Sequence, residues 1–277
     1  LKKNLLIAGG IISAVILLIL ILLPIIIKSL GFHPDYERTE YDLKGKKALV
    51  IATNHDTLGD SGRATGVYGS EINIPYYEFL DAGMTVDVAS IEGGEIPFEP
   101  ISLKYPLATN ADNRYLKDKE AEEKTKNSIK IRDVDFTEYD IIYMAGGWGA
   151  SYDLGYSEVL GEKLTKANAD GILMGSVCHG ALGFLKAKDV DGTPLVEGRQ
   201  ITAVSDKQVE ELRITATPMH PETELRKLGA DYQKNEAFRD FFATLVVVDG
   251  NIVTGQNQNS SGETAQTLLR LLDGKVD

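Results

Sequence analysis

The chain has 277 residues, 43% of them hydrophobic and 25% charged, enough for one large domain with a core that needs no disulfide staples. The single cysteine, Cys178, excludes an intramolecular disulfide. The net charge of −12 and the lack of a basic stripe with interleaved aromatics exclude a nucleic-acid surface, because phosphate contacts need clustered Lys and Arg.

The first apolar run, "LLIAGGIISAVILLILILLPIII" from Leu5 to Ile27, carries no charge. It is long enough to cross a hydrocarbon core of about 30 Å as a helix. Lys2 and Lys3 precede it, Lys28 ends it, and no small-x-small cleavage site follows. The run therefore predicts an uncleaved single-pass anchor over residues 1–28, in a lipid bilayer through residues 5–27. Lys2 and Lys3 favour an amino end inside, a bias that Lys28 and the basic residues after it weaken, and so a domain on the outer face of the cell membrane. Residues 29–44, with Pro34 and no helical stripe, read as a linker, and the soluble domain is expected over 45–277.

"KKALVIATN", Lys46 to Asn54, is the short continuous apolar run of a strand buried on both faces. Thr65 to Gly83 follows with Ile72, Tyr76, Phe79 and Leu80 at helical spacing and Gly83 as a stop. "MTVDVASIEGG" reads as the second strand, so the opening unit is strand, helix, strand in a right-handed crossover. Glu92 to Val134 reads as a Pro-rich loop and one charged, solvated helix, "NADNRYLKDKEAEEKTKNSIKI". "YDIIYMAGGWGASYDL", Tyr139 to Leu154, is strand then glycine loop, with a helix to about Ala167. "GILMGSVCHGALGFLKA" is strand, turn, helix, and "RQITAV" a short strand. A hairpin turning at "DGN" and a helix over about Ser261 to Leu272 close the chain. Strands alternating with helices predict an α/β fold with a mostly parallel sheet.

In such sheets ligands sit beyond the carboxyl ends of the strands. "GILMGSV" ends there, and Cys178 is the next residue, with Gly175 and Gly180 on either side and His179 directly after it. A nucleophile on a tight strand-to-helix turn stands exposed above a sheet. A helix starting near His179 would aim its N–H groups at the thiol, favouring thiolate, and the His179 N–H is placed to serve an oxyanion.

"GSVCHGALGF" resembles the nucleophile elbow of the ThiJ/PfpI family, within the class I glutamine amidotransferase-like superfamily. "TGVYGSEINIPYYEFLDAGMTVDVASIEGGEIPFEPIS", "MAGGWGASYDL", "ELRKLGADY" and "LVVVDGNIVTGQNQNSS" are similar to further family segments in the same order, covering most of Lys46 to Leu272. The first and last of these point to the branch of glyoxalase III and chaperone/deglycase proteins. The resemblance implies a flavodoxin-like three-layer sandwich and often a homodimer. It makes Cys178 the nucleophile, Glu71 in "GSEINIP" the carboxylate against the thiol, and His179 the general base. The acid that orients His179 would lie in "SDKQVEEL", at Asp206, Glu210 or Glu211, and position selects Glu210. The glycine loop would supply a second oxyanion donor, the N–H of Gly147. Trp148 stands where the branch usually has a His. It offers a flat wall and one N–H but no base or metal ligand, which reshapes the pocket for a larger or different substrate.

The implied activity is cofactor-free conversion of a small aldehyde such as methylglyoxal to a hydroxy acid, or hydrolysis of an amide or glycated adduct at the same thiol. A holdase chaperone or an oxidation sensor using Cys178 is the alternative from another class. No metal is expected, since His33, His55, His179 and His220 do not pair at ligand spacing. A glutaminase, which wants a distant His, would have to use His220 in "TPMHPETE" and is disfavoured by the His beside Cys178.

Overall fold

The computed structural model describes residues 13, 17–19, 21–23, 25–214 and 216–274. It divides into two units, Leu1–Asp35 and Tyr36–Asp277. In the first unit the described residues from 17 to 29 are helical. Most of the expected anchor, residues 5–27, falls outside the described residues, and among those described no helix is long and apolar enough to cross a membrane.

The second unit is built on a seven-stranded sheet in the order β3-β2-β1-β4-β5-β9-β8. Its strands are β1 (Lys47–Ala52), β2 (Thr85–Ser90), β3 (Ile129–Lys130), β4 (Ile141–Met144), β5 (Leu173–Val177), β8 (Val246–Asp249) and β9 (Ile252–Gly255). Every pairing is parallel except β8 with β9, the predicted hairpin. A separate two-stranded parallel sheet joins β6 (Gln200–Ile201) to β7 (Asp231–Tyr232).

The apolar run of β1 serves both faces of the sheet, as its sequence predicts. Ala48, Val50 and Ala52 pack with Ile72, Tyr76 and Phe79 of helix α1 (Gly69–Asp81), and with Leu268, Leu269 and Leu272 of the C-terminal helix, Ser261–Asp273. Leu49 and Ile51 face the other way, toward Phe184 and toward Leu160, Leu164 and Ala167 of helix α5 (Glu158–Ala169). Helices thus cover both faces, and each large side chain buried there contributes about 1.5–3 kcal/mol.

Two sequence expectations are corrected. The single charged helix after residue 110 is two helices, α2 (Asn110–Tyr115) and α3 (Lys119–Lys126), followed by β3. Capping groups interrupt it: Thr109 and Asp112 form a reciprocal capping box, and Asp118 accepts from the N–H groups of Glu120 and Ala121. The segment read as a linker is part of the folded unit from Tyr36 onward. The Tyr36 hydroxyl donates to Glu78 Oε1 (2.7 Å), Arg38 reaches Glu78 and Asp81, and the Thr39 N–H donates to Gln266 Oε1. Gln266 Nε2 closes the network on Glu78 Oε2. The polar residues that suggested a loop are therefore partners for a buried carboxylate on α1. Glu78→Ala is expected to lower the unfolding free energy by about 3 kcal/mol in urea titration, because it strands Tyr36 and Gln266 without an acceptor.

The loops after β1, β4 and β5 gather at the carboxyl edge of the sheet. The Asp153 carboxylate, on helix α4 (Ala150–Asp153), ties two of them together by accepting from the Thr53 hydroxyl and the Asn54 N–H, each at 2.8 Å. The edge where the sequence places Cys178 is thus held rigidly from both sides.

Candidate active site

Cys178 directly follows β5 and opens the 3-10 helix Cys178–Lys186. Its φ is +57°, a left-handed conformation that costs a non-glycine residue about 1–3 kcal/mol. Its two neighbouring glycines are required by space. A Cβ on Gly180 would stand 2.2 Å from the Met144 carbonyl oxygen, and one on Gly175 would stand 2.5 Å from Leu268 Cδ1. The corner can form only because β4 and the C-terminal helix approach it where those side chains are missing.

The turn brings three functional groups together. His179 Nδ1 lies 3.4 Å from Cys178 Sγ. Glu71, in the first turn of α1, sets its carboxyl close enough to the same sulfur to interact with it, and its Oε2 is buried without a hydrogen bond. The N–H groups of Gly147 and His179 are also directed at the sulfur. Gly147 has φ +97°, and a Cβ there would lie 2.4 Å from both Gly66 O and Tyr68 N. Only a glycine lets the loop after β4 press against the segment leading into α1.

Cys178 is 5% exposed, and Glu71 and His179 are 1% exposed each. Burial raises the Glu71 pKa to about 8, although the thiol and the Gly146 and Gly147 amides pull it back. Glu71 is therefore a protonated acid at neutral pH. Burial, reinforced by the nearby Glu71 charge, also pushes the Cys178 thiol well above its usual range, overcoming the amides of His179 and Gly147. The expected bias toward free thiolate is thus not present in this closed site; the sulfur ionises only as its proton is taken. His179 is held at about 3 by burial, then by the neighbouring His220, so its imidazole is neutral and able to accept that proton. The arrangement is a thiol with a proton donor on one side and an acceptor on the other.

Glu210 does not join this group. It is exposed on α6 (Asp206–Glu211), where Gln208 and Val209 are the inward residues, and no hydrogen bond joins it to His179. Six residues of helix cannot turn both faces to the core. Glu211 instead accepts from the Asp240 N–H. Asp206, the remaining acid of the segment, lies 4.0 Å from His220 Nδ1.

Trp148 is half-buried at the end of the glycine loop. The Arg63 guanidinium sits 5.0 Å above its ring and reaches Glu99 at 3.5 Å, while Thr65 holds the other Glu99 oxygen. Trp148 is thus a wall backed by a cation, a contact sequence spacing does not show because Arg63 comes from the loop before α1. Tyr68 and Tyr143 also border the reacting groups, as the Glu71 and Cys178 charges that bear on both hydroxyls indicate. Nothing in the alternation of β4 marked Tyr143 as more than core. A cavity of about 330 Å³, lined by residues 132–137 with Lys163 and Lys166, shares no residue with this site. Among the described residues no three His, Cys, Asp or Glu side chains are grouped to hold a metal ion.

Comparison with known proteins gives a consistent result. The DJ-1/PfpI family profile matches residues 63–271. The glutathione-independent glyoxalase hsp3102 of Schizosaccharomyces pombe is 29% identical over 245 residues, 83% of this chain and 98% of that one. Glyoxalase 3 of Candida albicans is 29% identical over 233 residues, covering 81% and 97%. Among solved structures, Rapid Encystment Protein 24 KDa of Francisella tularensis superimposes with a TM-score of 0.76 at 30% identity, over 82% of this chain and 99% of that one. Glyoxalase III of Candida albicans superimposes with a TM-score of 0.74 at 26% identity, over 81% and 96%.

Proposed function

The chain belongs to the DJ-1/PfpI family, in its glutathione-independent glyoxalase branch, and from that premise we propose that it converts methylglyoxal to lactate at Cys178 without glutathione. The observation that carries this reading is the placement of one buried sulfur between a protonated carboxyl, Glu71, and a neutral imidazole, His179.

The reaction needs no external oxidant, because the aldehyde carbon is oxidised while the adjacent ketone carbon is reduced. Cys178 Sγ bonds to the aldehyde carbon as its proton passes to His179 Nδ1. Glu71 protonates the aldehyde oxygen, giving a hemithioacetal and leaving a carboxylate. That carboxylate removes the C–H proton, and the proton held on His179 Nδ1 passes to the ketone oxygen, giving an enediol. His179 then takes the proton from the hydroxyl on the sulfur-bearing carbon, and Glu71 returns its own to the second carbon. The product is a lactoyl thioester. Water breaks the C–S bond, releasing lactate and a proton and restoring the thiol, while the proton held on His179 returns to the Glu71 carboxylate. A carboxyl with a pKa near 8 suits this double use, since it must give and take a proton near neutral pH. The amides of Gly147 and His179 are the donors available to the oxyanions.

The oxidation-sensor reading is not favoured. A sensor thiol is exposed and ionised, whereas Cys178 is buried and its pKa is raised.

The purified protein is expected to consume methylglyoxal and form an equal amount of lactate in the absence of glutathione. Absence of lactate, with the protein folded, would overturn the reading.

A further inference from the structure

His179 poses a problem that the reaction above leaves open. Its Nδ1 faces the sulfur, but its Nε2 is buried and has no hydrogen-bond partner. When Nδ1 takes the thiol proton, the ring becomes a buried cation. Without a partner that state is strongly disfavoured. The acid expected to relieve it, Glu210, is at the surface.

A second unpartnered atom lies nearby. Asp206 Oδ1 is buried without a hydrogen bond. The rest of this residue is fixed: Oδ2 accepts from the Thr223 hydroxyl at 2.6 Å, and the backbone N–H donates to Glu222 Oε2. Facing Asp206 Oδ1, at 4.0 Å, is Nδ1 of His220. His220 precedes α7 (Pro221–Lys227), which packs on the 3-10 helix carrying His179. Its backbone is set by the α7 turn, through Glu224 N–H to His220 O at 3.0 Å. Met219, the residue before it, lies with Leu182 against Gly155. Packing of α7 on the 3-10 helix brings the His220 ring into the neighbourhood of His179, without a hydrogen bond between the two rings, and leaves it partly open to solvent.

We propose that His220, oriented by Asp206, is a positioning residue that receives the Nε2 proton of His179 and passes it to solvent. An imidazole can accept on one nitrogen and donate on the other, and unlike a hydroxyl or a carboxamide it can keep the proton it receives. As the Sγ–H bond breaks, the thiol proton forms a bond to His179 Nδ1 and the Nε2 proton leaves for His220. The positive charge rests on His220 beside the Asp206 carboxylate, and a proton returns to Nε2 as Nδ1 gives its own to the ketone oxygen, so that His179 stays neutral. Cys, His, His and Asp then form a line from the buried sulfur to the surface.

This inference rests on the proposed glyoxalase chemistry for its role in turnover, so its test needs a second readout. In the full-length protein, methylglyoxal turnover and the rate of Cys178 alkylation by iodoacetamide are measured for wild type, His220→Ala, His220→Gln and Asp206→Asn. His220→Ala is expected to lower kcat about 100-fold with little change in KM, and to slow alkylation about tenfold. Added imidazole is expected to restore much of both rates in His220→Ala, since the position is open to solvent. His220→Gln, which fills that space, should not be restored. Wild-type rates in His220→Ala overturn the proposal. So does a loss that imidazole leaves untouched in a protein with the wild-type melting temperature. If wild type makes no lactate, the glyoxalase reading falls alone, and the alkylation rates still decide the relay.

Discussion

Cys178→Ala is expected to abolish lactate formation, and Glu71→Gln to lower kcat by about 10³ while making the protein more stable. The first outcome follows from the loss of the only nucleophile at the corner. The second joins two effects of the same carboxyl. Glutamine keeps the shape and can still donate a hydrogen bond to the sulfur, but it cannot give up a proton and take one back from carbon. Both proton transfers at carbon then lose their acid and base, and each is worth about 10² to 10⁴ in rate.

The stability gain has a definite pH dependence. The Glu71 pKa lies near 8 in the folded protein and at 4.5 in the reference state. Between these values the folded state binds more protons than the unfolded state, so stability falls as pH rises. The neutral carboxyl is fully accommodated below about pH 4.5, and the penalty reaches its full size above about pH 8. Glutamine has no such penalty. Chemical denaturation should therefore show wild type losing stability from pH 5 to pH 8 relative to Glu71→Gln, by roughly 2–4 kcal/mol in total. Parallel stability curves would mean that Glu71 is already ionised at neutral pH and that the mechanism lacks its first proton donor.

The parts of this site legible in the sequence were those carried by near neighbours in the chain. Cys178, His179, Gly175 and Gly180 lie within six residues, and a strand followed by a tight corner has few ways to arrange them. β1 was legible because a strand covered on both faces must be apolar at every position. Glu71 was not legible from spacing, since a lone Glu on a helix is ordinarily solvated; the family resemblance picked it out, and burial gives it its chemistry. The partner of His179 failed for the opposite reason. Three acids within six residues look equivalent in sequence, and only the packing of α6 turns Glu210 outward and leaves Asp206 facing His220. The strap from Tyr36 was misread because composition reports polarity and cannot report that a buried glutamate two turns along α1 would satisfy it.

Gly146→Ala is expected to cost as much activity as loss of a group that handles the protons. Its Cβ would stand 2.5 Å from Glu71 Oε2, 2.7 Å from Val177 O and 2.8 Å from His179 N. Those three atoms belong to the acid, to the strand that ends at the nucleophile, and to the oxyanion donor. One methyl group cannot enter without separating them. Gly146 is not in the left-handed region, so the requirement is one of space and not of backbone freedom. Overpacking of this kind costs about 1–3 kcal/mol of stability. The activity loss should be larger, on the order of 10²-fold or more, because a displacement of about 1 Å is enough to spoil proton transfer. Gly62→Ala is the matched control: its φ is +66°, but nothing lies within 4 Å of the added methyl. It is expected to lose about 1 kcal/mol and keep its kcat. If Gly146→Ala retains kcat within a few-fold, Glu71 and the His179 amide do not act together on the sulfur. The convergence of α1, β4 and β5 at this one glycine would then be a matter of packing alone.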